Sequence, residues 1–199
     1  PGVKVIISFY SISKEVITNE YGLFSAEFNI SKIKLAEKNW HPVFFELAEA
    51  VIEDQASVTA KGEVFIPVKN NRFGIISDVD DTFLVSYSTK MIKKLRLMLF
   101  KNASTRMPFP GIVAFYDALS RENEKKVNPF FFVSSSEWNL YDLLVDFCQY
   151  HHIPKGVFFL KTMQAGLLQF WKSGGGNHEH KFQKIKHIME SYKNMKFIL

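Results

Sequence analysis

Three carboxylates crowd into "RFGIISDVDDTFLVS", residues 72–86: Asp78, Asp80 and Asp81, with Thr82 closing the group. They follow an apolar run, residues 73–76, that reads as a buried strand. Like charges at such a strand end repel one another, and each resists desolvation. A cation or a phosphoryl group at that spot would account for them.

Asp78, Asp80, Thr82, Ser134 and Lys181 supply, in chain order, the parts of a phosphoryl transfer. A carboxylate at a strand end, Asp78, is placed to attack phosphorus and form an acyl phosphate. Phosphate esters repel anionic nucleophiles, so a divalent cation must neutralise charge, and hard carboxylate oxygens suit Mg²⁺. Asp80 lies two residues on, along the same side of an extended chain. It is placed to protonate the leaving alkoxide and then to deprotonate the attacking water. A hydroxyl at the next strand end, Ser134, can hydrogen-bond a phosphoryl oxygen, and a lysine, Lys181, can stabilise the pentavalent charge. Ser135 is the neighbouring candidate for the hydroxyl, since a one-residue shift of the strand end exchanges the two. The spare serines can also cap the helix that follows.

The elements needed to position these groups are legible in the patterning. From residue 72 onward, buried strands alternate with helical spacing. The strands are residues 73–77, 129–136, 156–160 and 196–199. The helical patterns are Ile112, Phe115, Tyr116 and Leu119, then Leu140 to Cys148, then Phe182, Ile185, Ile188, Met189 and Tyr192. Such repeats predict a parallel sheet covered by helices, with ligands bound beyond the carboxyl ends of the strands, where Asp78 and Ser134 lie. Residues 1–70 read differently. "VKVIISFY" and residues 40–47 and 62–68 are strand-like, "NEYG" at residues 19–22 signals a turn, and "LFSAEFNI" alternates, with Phe24, Ala26, Phe28 and Ile30 on one face. With no helix pattern among them, they predict a small antiparallel β-sandwich. The expected division is therefore a β-sandwich at 1–70 and an α/β domain at 71–199.

The chain has 199 residues, 47% of them hydrophobic, which is enough apolar material for one or two cores. No run of about 20 apolar residues could span a bilayer. The single cysteine, Cys148, excludes an internal disulfide and points to a reducing compartment, the cytoplasm. It sits in an apolar helical pattern and reads as packing rather than as a nucleophile. Net charge is +5 and locally concentrated: between Asp81 and Asp117 no acid occurs, whereas Lys90, Lys93, Lys94, Arg96, Lys101 and Arg106 do. On a helical wheel Met91, Ile92, Leu95, Met98 and Leu99 oppose the lysines. The plain reading is a surface helix or small cap, and the sharper one is a helix touching an anionic bilayer. His178 and His180 lack a third ligand at zinc spacing and read as a polar loop. "SGGGN" at residues 173–177 has no Gly-Lys-Ser/Thr after it and reads as a connection.

"GIISDVDDT" resembles motif I of the haloacid dehalogenase superfamily, an apolar strand followed by Asp-x-Asp-x-Thr. "FFFVSSS" resembles motif II, and Lys181 in "HEHKFQKI" fits the motif III lysine. The wider wording of "RMPFPGIVAFYDAL", "PFFFVSSSEWNLYDLLVDF" and "HKFQKIKHI" is similar to one branch. That branch is the catalytic domain of the actin-patch-associated, Mg²⁺-dependent phosphatidate phosphatases and their bacterial relatives. The resemblance covers residues 72–199, and "NEYGLFSAEF" and "GEVFIPV" resemble the small β domain that precedes it there. It implies a Rossmann-like parallel sheet. It implies Asp78 as nucleophile and Mg²⁺ ligand, and Asp80 as general acid/base with its backbone carbonyl on the metal. Thr82 would brace the loop, Ser134 would bind the phosphoryl group and Lys181 would hold the phosphoaspartate. It also implies a motif IV acidic loop after the strand "KFIL", which would lie beyond Leu199, so the domain is expected to be incomplete at its C-terminus.

The reading is thus Mg²⁺-dependent hydrolysis of a phosphomonoester, phosphatidate first, at a membrane surface. No nucleic-acid partner is expected, and protein partners are left open. Two alternatives stand beside it: a phosphatase for a soluble phosphomonoester, and a non-catalytic lipid- or protein-binding module on the same fold. A receiver domain fits poorly. It carries its phosphorylated Asp at the end of a later strand, where this chain has Ser134.

Overall fold

Period-two alternation builds the N-terminal strands. The computed structural model describes residues 2–48, 58–68, 73–79, 111–123, 126–161 and 177–199. The chain divides into two compact units, Pro1–Lys69 and Asn70–Leu199. The basic segment at residues 90–106, the glycines at 174–176, and Asp80, Asp81 and Thr82 lie outside the described residues.

In the first unit β1 (Lys4–Phe9), β2 (Ile12–Ile17), β3 (Trp40–Leu47) and β4 (Thr59–Phe65) form one antiparallel sheet in the order β2-β1-β3-β4. Val5, Ile7 and Phe9 alternate inward and join Val43 in the core. Tyr10 turns the first hairpin with a left-handed φ of 51°. Glycine or asparagine is the usual occupant of such a turn. Here the strain is offset by contacts, because the ring packs edge-on against Phe9 and the phenol bonds Nδ1 of the buried His41 at 2.7 Å. The turn at residues 19–22 forms as expected, with Asn19 Oδ1 accepting the N–H groups of Tyr21 and Leu23.

The sandwich expectation needs correcting. Among the described residues of this unit a second sheet is not formed, and residues 23–30 are not a strand. Ala26, Phe28 and Ile30 do face inward, packed on the core of the single sheet. Their alternation reports an extended chain with one buried face, which can lie across a sheet as well as within one. Strand β4 begins three residues earlier than the pattern suggested, because its register is set by pairing, Trp40 with Phe65 and Glu46 with Thr59. Strand β2 was not anticipated, since Lys14 and Glu15 interrupt its apolar positions.

The second unit is a parallel sheet with helices, as the patterning predicts. Its strands are β5 (Phe73–Asp78), β8 (Phe130–Glu137), β9 (Gly156–Lys161) and β10 (Lys196–Ile198), in the order β10-β5-β8-β9. The described helices are α1 (Ile112–Ser120), α2 (Tyr141–Tyr150) and α3 (Asn177–Ser191). A short hairpin of β6 (Arg121–Asn123) and β7 (Lys126–Val127), too polar to read from the sequence, follows α1. Ile75, Val79, Phe130 and Phe132 share one core with Tyr116 of α1 and with Leu144, Phe147 and Cys148 of α2. Phe131 points the other way, toward Tyr192 just after α3 and toward Phe197 of β10, at ring separations of 5.2 and 5.9 Å. Cys148 is buried as expected, and burial pushes its thiol up to about 12, which leaves it unreactive. Among the described residues no helix is long and apolar enough to cross a membrane.

Gly156 opens β9 against the rings that fill this core. A Cβ there would stand 2.5 Å from the Phe132 ring and 2.8 Å from the carbonyl oxygen of Phe130. One of those neighbours is backbone and cannot yield cheaply. Gly156→Ala should therefore destabilise the chain by about 1–3 kcal/mol. Denaturant unfolding checks this, and a midpoint equal to wild type would contradict it.

Candidate active site

The site is assembled by strand pairing. Strands β5 and β8 run parallel with Ser77 opposite Phe132 and Asp78 opposite Val133, and the Val79 N–H continues the ladder to the Val133 carbonyl at 3.0 Å. The two carboxyl ends therefore lie side by side, with Ser134 one residue past the partner of Asp78. Beyond Val133 the pairing of β8 with β9 is irregular. Val133 faces Phe159 and Glu137 faces Lys161, so β8 takes four steps where β9 takes two. The three serines 134–136 occupy that bulge, a device common beside active sites. Ser134 is fully buried, and its Oγ accepts the Ser136 N–H at 2.9 Å, which closes the bulge. Ser135 is half-buried beside it.

Alternation along β5 sends Asp78 to the same face as Ile76, and Ser77 to the face of Ile75. Lys181, in the second turn of α3, meets Asp78 there. Its Nζ lies 2.5 Å from Asp78 Oδ2, across 103 residues of sequence. The two side chains keep 17% and 32% of their exposure, so the pair stands at the edge of the core rather than inside it. At that degree of exposure the attraction is largely offset by desolvation and screening. The pair adds little to stability but holds a cation against the carboxylate.

On the opposite face, Ser77 Oγ lies 2.5 Å from Tyr116 Oη and also reaches the Asp78 carbonyl at 3.3 Å. Burial raises the Tyr116 phenol above its usual range. The hydrogen bond to Ser77 works against this, and Cys148 and Asp78 add to it. Sequence reading took Tyr116 as an apolar helix position and passed over Ser77. The signal available was a serine within an otherwise apolar strand face, and a core tyrosine whose hydroxyl needs a partner.

Of the residues singled out for chemistry, Asp78 and Lys181 are brought into contact, and Ser134 and Ser135 stand at the adjoining strand end. Asp80 and Thr82 lie outside the described residues, as do the side chains of His178 and His180. Among the described residues no cluster of three His, Cys, Asp or Glu could hold a metal ion. The donor that is placed, the Asp78 carboxylate, is a hard oxygen ligand, and with Asp80 it would suit Mg²⁺ rather than a softer metal.

The model of one protein family, described as phosphatidate phosphatase APP1, catalytic domain, matches residues 73–199. The chain belongs to this family. The match starts at the first residue of β5 and includes Asp78, Ser134 and Lys181. Family membership makes the chain a hydrolase of the phosphatidate phosphatase type, an enzyme of lipid metabolism with a phospholipid as its substrate. No curated protein and no solved structure matches it.

The partly buried Asp78–Lys181 pair gives a prediction about stability alone. Lys181→Met should change the unfolding free energy by less than about 1 kcal/mol. Urea unfolding checks this. A loss of several kcal/mol would mean that the pair supports the fold.

Proposed function

We propose that this chain hydrolyses phosphatidate to diacylglycerol and phosphate by the haloacid dehalogenase route, through an aspartyl phosphate on Asp78. The observation that carries the reading is the Asp78 carboxylate at the end of the central parallel strand, held by Lys181 at 2.5 Å within the family-matched region. An Asp78 carboxylate oxygen attacks phosphorus, and the bond from phosphorus to the glycerol oxygen breaks. Asp80 gives that oxygen its proton, so diacylglycerol leaves neutral. Asp80 then takes a proton from water, and the hydroxide attacks the aspartyl phosphate, restoring Asp78 and releasing phosphate. Lys181 balances the negative charge on the phosphoryl oxygens in both steps. Ser134 and Ser135, in the bulge of β8, supply hydroxyl and backbone donors to those oxygens, and Thr82 braces the loop that carries Asp80. Mg²⁺ would be held by the Asp78 carboxylate and the Asp80 carbonyl, where it would lower the repulsion between the nucleophile and the ester.

The substrate phosphate lies at a bilayer surface. Lys90, Lys93, Lys94, Arg96, Lys101 and Arg106 form a basic run without an acid among them, which favours an anionic surface. The site of action is thus the cytoplasmic face of a membrane, with the protein bound peripherally.

Asp78→Asn should abolish release of phosphate from phosphatidate in mixed micelles, because an amide is no comparable nucleophile. Beryllofluoride should label Asp78 in the wild-type chain. Wild-type turnover in the Asn variant would sink the assignment. Turnover of water-soluble esters with none of phosphatidate would replace the lipid substrate by a soluble one.

Asp80→Asn should slow hydrolysis of alkyl phosphates by about 10²–10⁴-fold, the usual worth of a proton transfer. Aryl phosphates, whose leaving groups need no proton, should lose less in the phosphorylation step. Equal losses for the two substrate classes in single-turnover measurements would remove Asp80 from the acid role.

A further inference from the structure

Beneath the proposed nucleophile lie two hydroxyls to which the reaction scheme above gives no part. Ser77 is the residue before Asp78 and points to the opposite face of the sheet, into the core that α1 and α2 cover. Tyr116 of α1 reaches it there, with oxygens 2.5 Å apart. The Ser77 hydroxyl also reaches the Asp78 carbonyl at 3.3 Å. Between the two oxygens either hydroxyl can supply the proton. The three groups form one chain, from the phenol through the serine hydroxyl to the peptide carbonyl of Asp78, which accepts from Ser77.

Stability alone accounts poorly for such a pair. Two hydroxyls on a core face are costly to desolvate, and replacing both partners by apolar groups of the same shape is nearly neutral. Phenylalanine at 116 and alanine or valine at 77 would fill the same layer. What the hydroxyls add is direction at one peptide, the link by which the chain leaves the strand at Asp78 toward Val79 and Asp80.

The tyrosine end is firmly built. Tyr116 is 1% exposed and packs edge-on against Phe130 at 5.4 Å. The end of α1 that follows it is tied to the start of β8. The Asn128 N–H donates to the Ser120 carbonyl at 2.7 Å, and the Asn128 side-chain amide donates to the Leu119 carbonyl at 2.9 Å. Burial raises the phenol above its usual range. Hydroxyls in series at this partly buried position polarise one another, and each bond stiffens the next.

We infer that Tyr116 and Ser77 are positioning residues that clamp the Asp78 peptide from the α1 side while Lys181 holds its carboxylate from the α3 side. The inference rests on Asp78 being the nucleophile. Neither hydroxyl touches substrate. Their effect is on how closely the carboxylate and the loop behind it keep the geometry of attack, where small displacements cost rate.

The test uses Tyr116→Phe, Ser77→Ala and the double variant of the full 199-residue chain, with two readouts. In steady-state hydrolysis of phosphatidate, each single variant should lower kcat by about threefold to tenfold, the scale of one hydrogen bond. KM should stay within about twofold, since ground-state binding is untouched. The double variant should lose no more than the worse single, because both changes break one chain. By amide hydrogen exchange, the Val79 N–H should exchange faster in Tyr116→Phe, while Ile76 in mid-strand should not change. Wild-type kcat in Tyr116→Phe overturns the inference, as does a loss confined to KM. Where the wild-type chain hydrolyses no phosphate ester, the exchange readout alone decides the clamp, and beryllofluoride labelling decides whether Asp78 is the nucleophile. In that case, faster exchange at Val79 upholds the clamp on the strand end and unchanged exchange overturns it.

Discussion

The parallel register between β5 and β8 is the constraint on which the rest of the second unit depends. Asp78 stands opposite Val133 because Phe130, Phe131 and Phe132 are all fully buried and point alternately to the two faces of the sheet. A slip of one residue would turn Phe131 into the α1–α2 core and eject Phe130 and Phe132 from it, so the register has almost no freedom. Once it is set, Ser77 must face α1 and Asp78 must face α3. The carboxyl ends of the two central strands must then finish together. A candidate site spread over more than 100 residues of sequence, the separation of Asp78 from Lys181, is thus positioned by three buried phenylalanines.

Stability and chemistry are divided between different groups in this unit. The rings of Tyr116, Phe130, Phe132 and Phe158 form a contiguous aromatic layer, and such burial supplies most of the favourable free energy of a domain. The charged pair contributes little to the fold at its degree of exposure. It lies where the packing ends, at the carboxyl edge of the sheet, with the Lys181 ammonium fixed beside the carboxylate. The serine bulge continues the same arrangement. It leaves the ladder just after Val133, with the Ser134 hydroxyl turned inward onto the Ser136 N–H.

Legibility in the sequence differed between the two units for a physical reason. Strands buried on both faces read as unbroken apolar runs, and helices packed on them read at helical spacing, so β5, β8, β9 and all three described helices were found within a few residues of their bounds. In the first unit each strand has one face in the core, and the signal halves. Strand β2 went unseen because Lys14 and Glu15 fall within it, and residues 23–30 passed for a strand because packing across a sheet imposes the same alternation as pairing within one. Exposure also departed from periodicity. Phe182 and Met189 fit the helical spacing of α3, yet they are 60% and 45% exposed, whereas Ile188 between them is fully buried.

The sequence by itself determined the chemistry on offer. An Asp-x-Asp-x-Thr cluster at the end of an apolar run, a second apolar run ending in serines, and a later lysine are, in order, the residue types that the proposed phosphoryl transfer would use. It also determined the layered class of the second unit, since alternating strand and helix periods admit few other arrangements. Only the tertiary structure decided which groups meet. That Lys181 closes on Asp78, that Ser134 turns inward to close a bulge while Ser135 stands half-exposed, and that Tyr116 reaches Ser77 all depend on side-chain direction and register. Those are set by packing between elements far apart in the chain, and no local pattern encodes them.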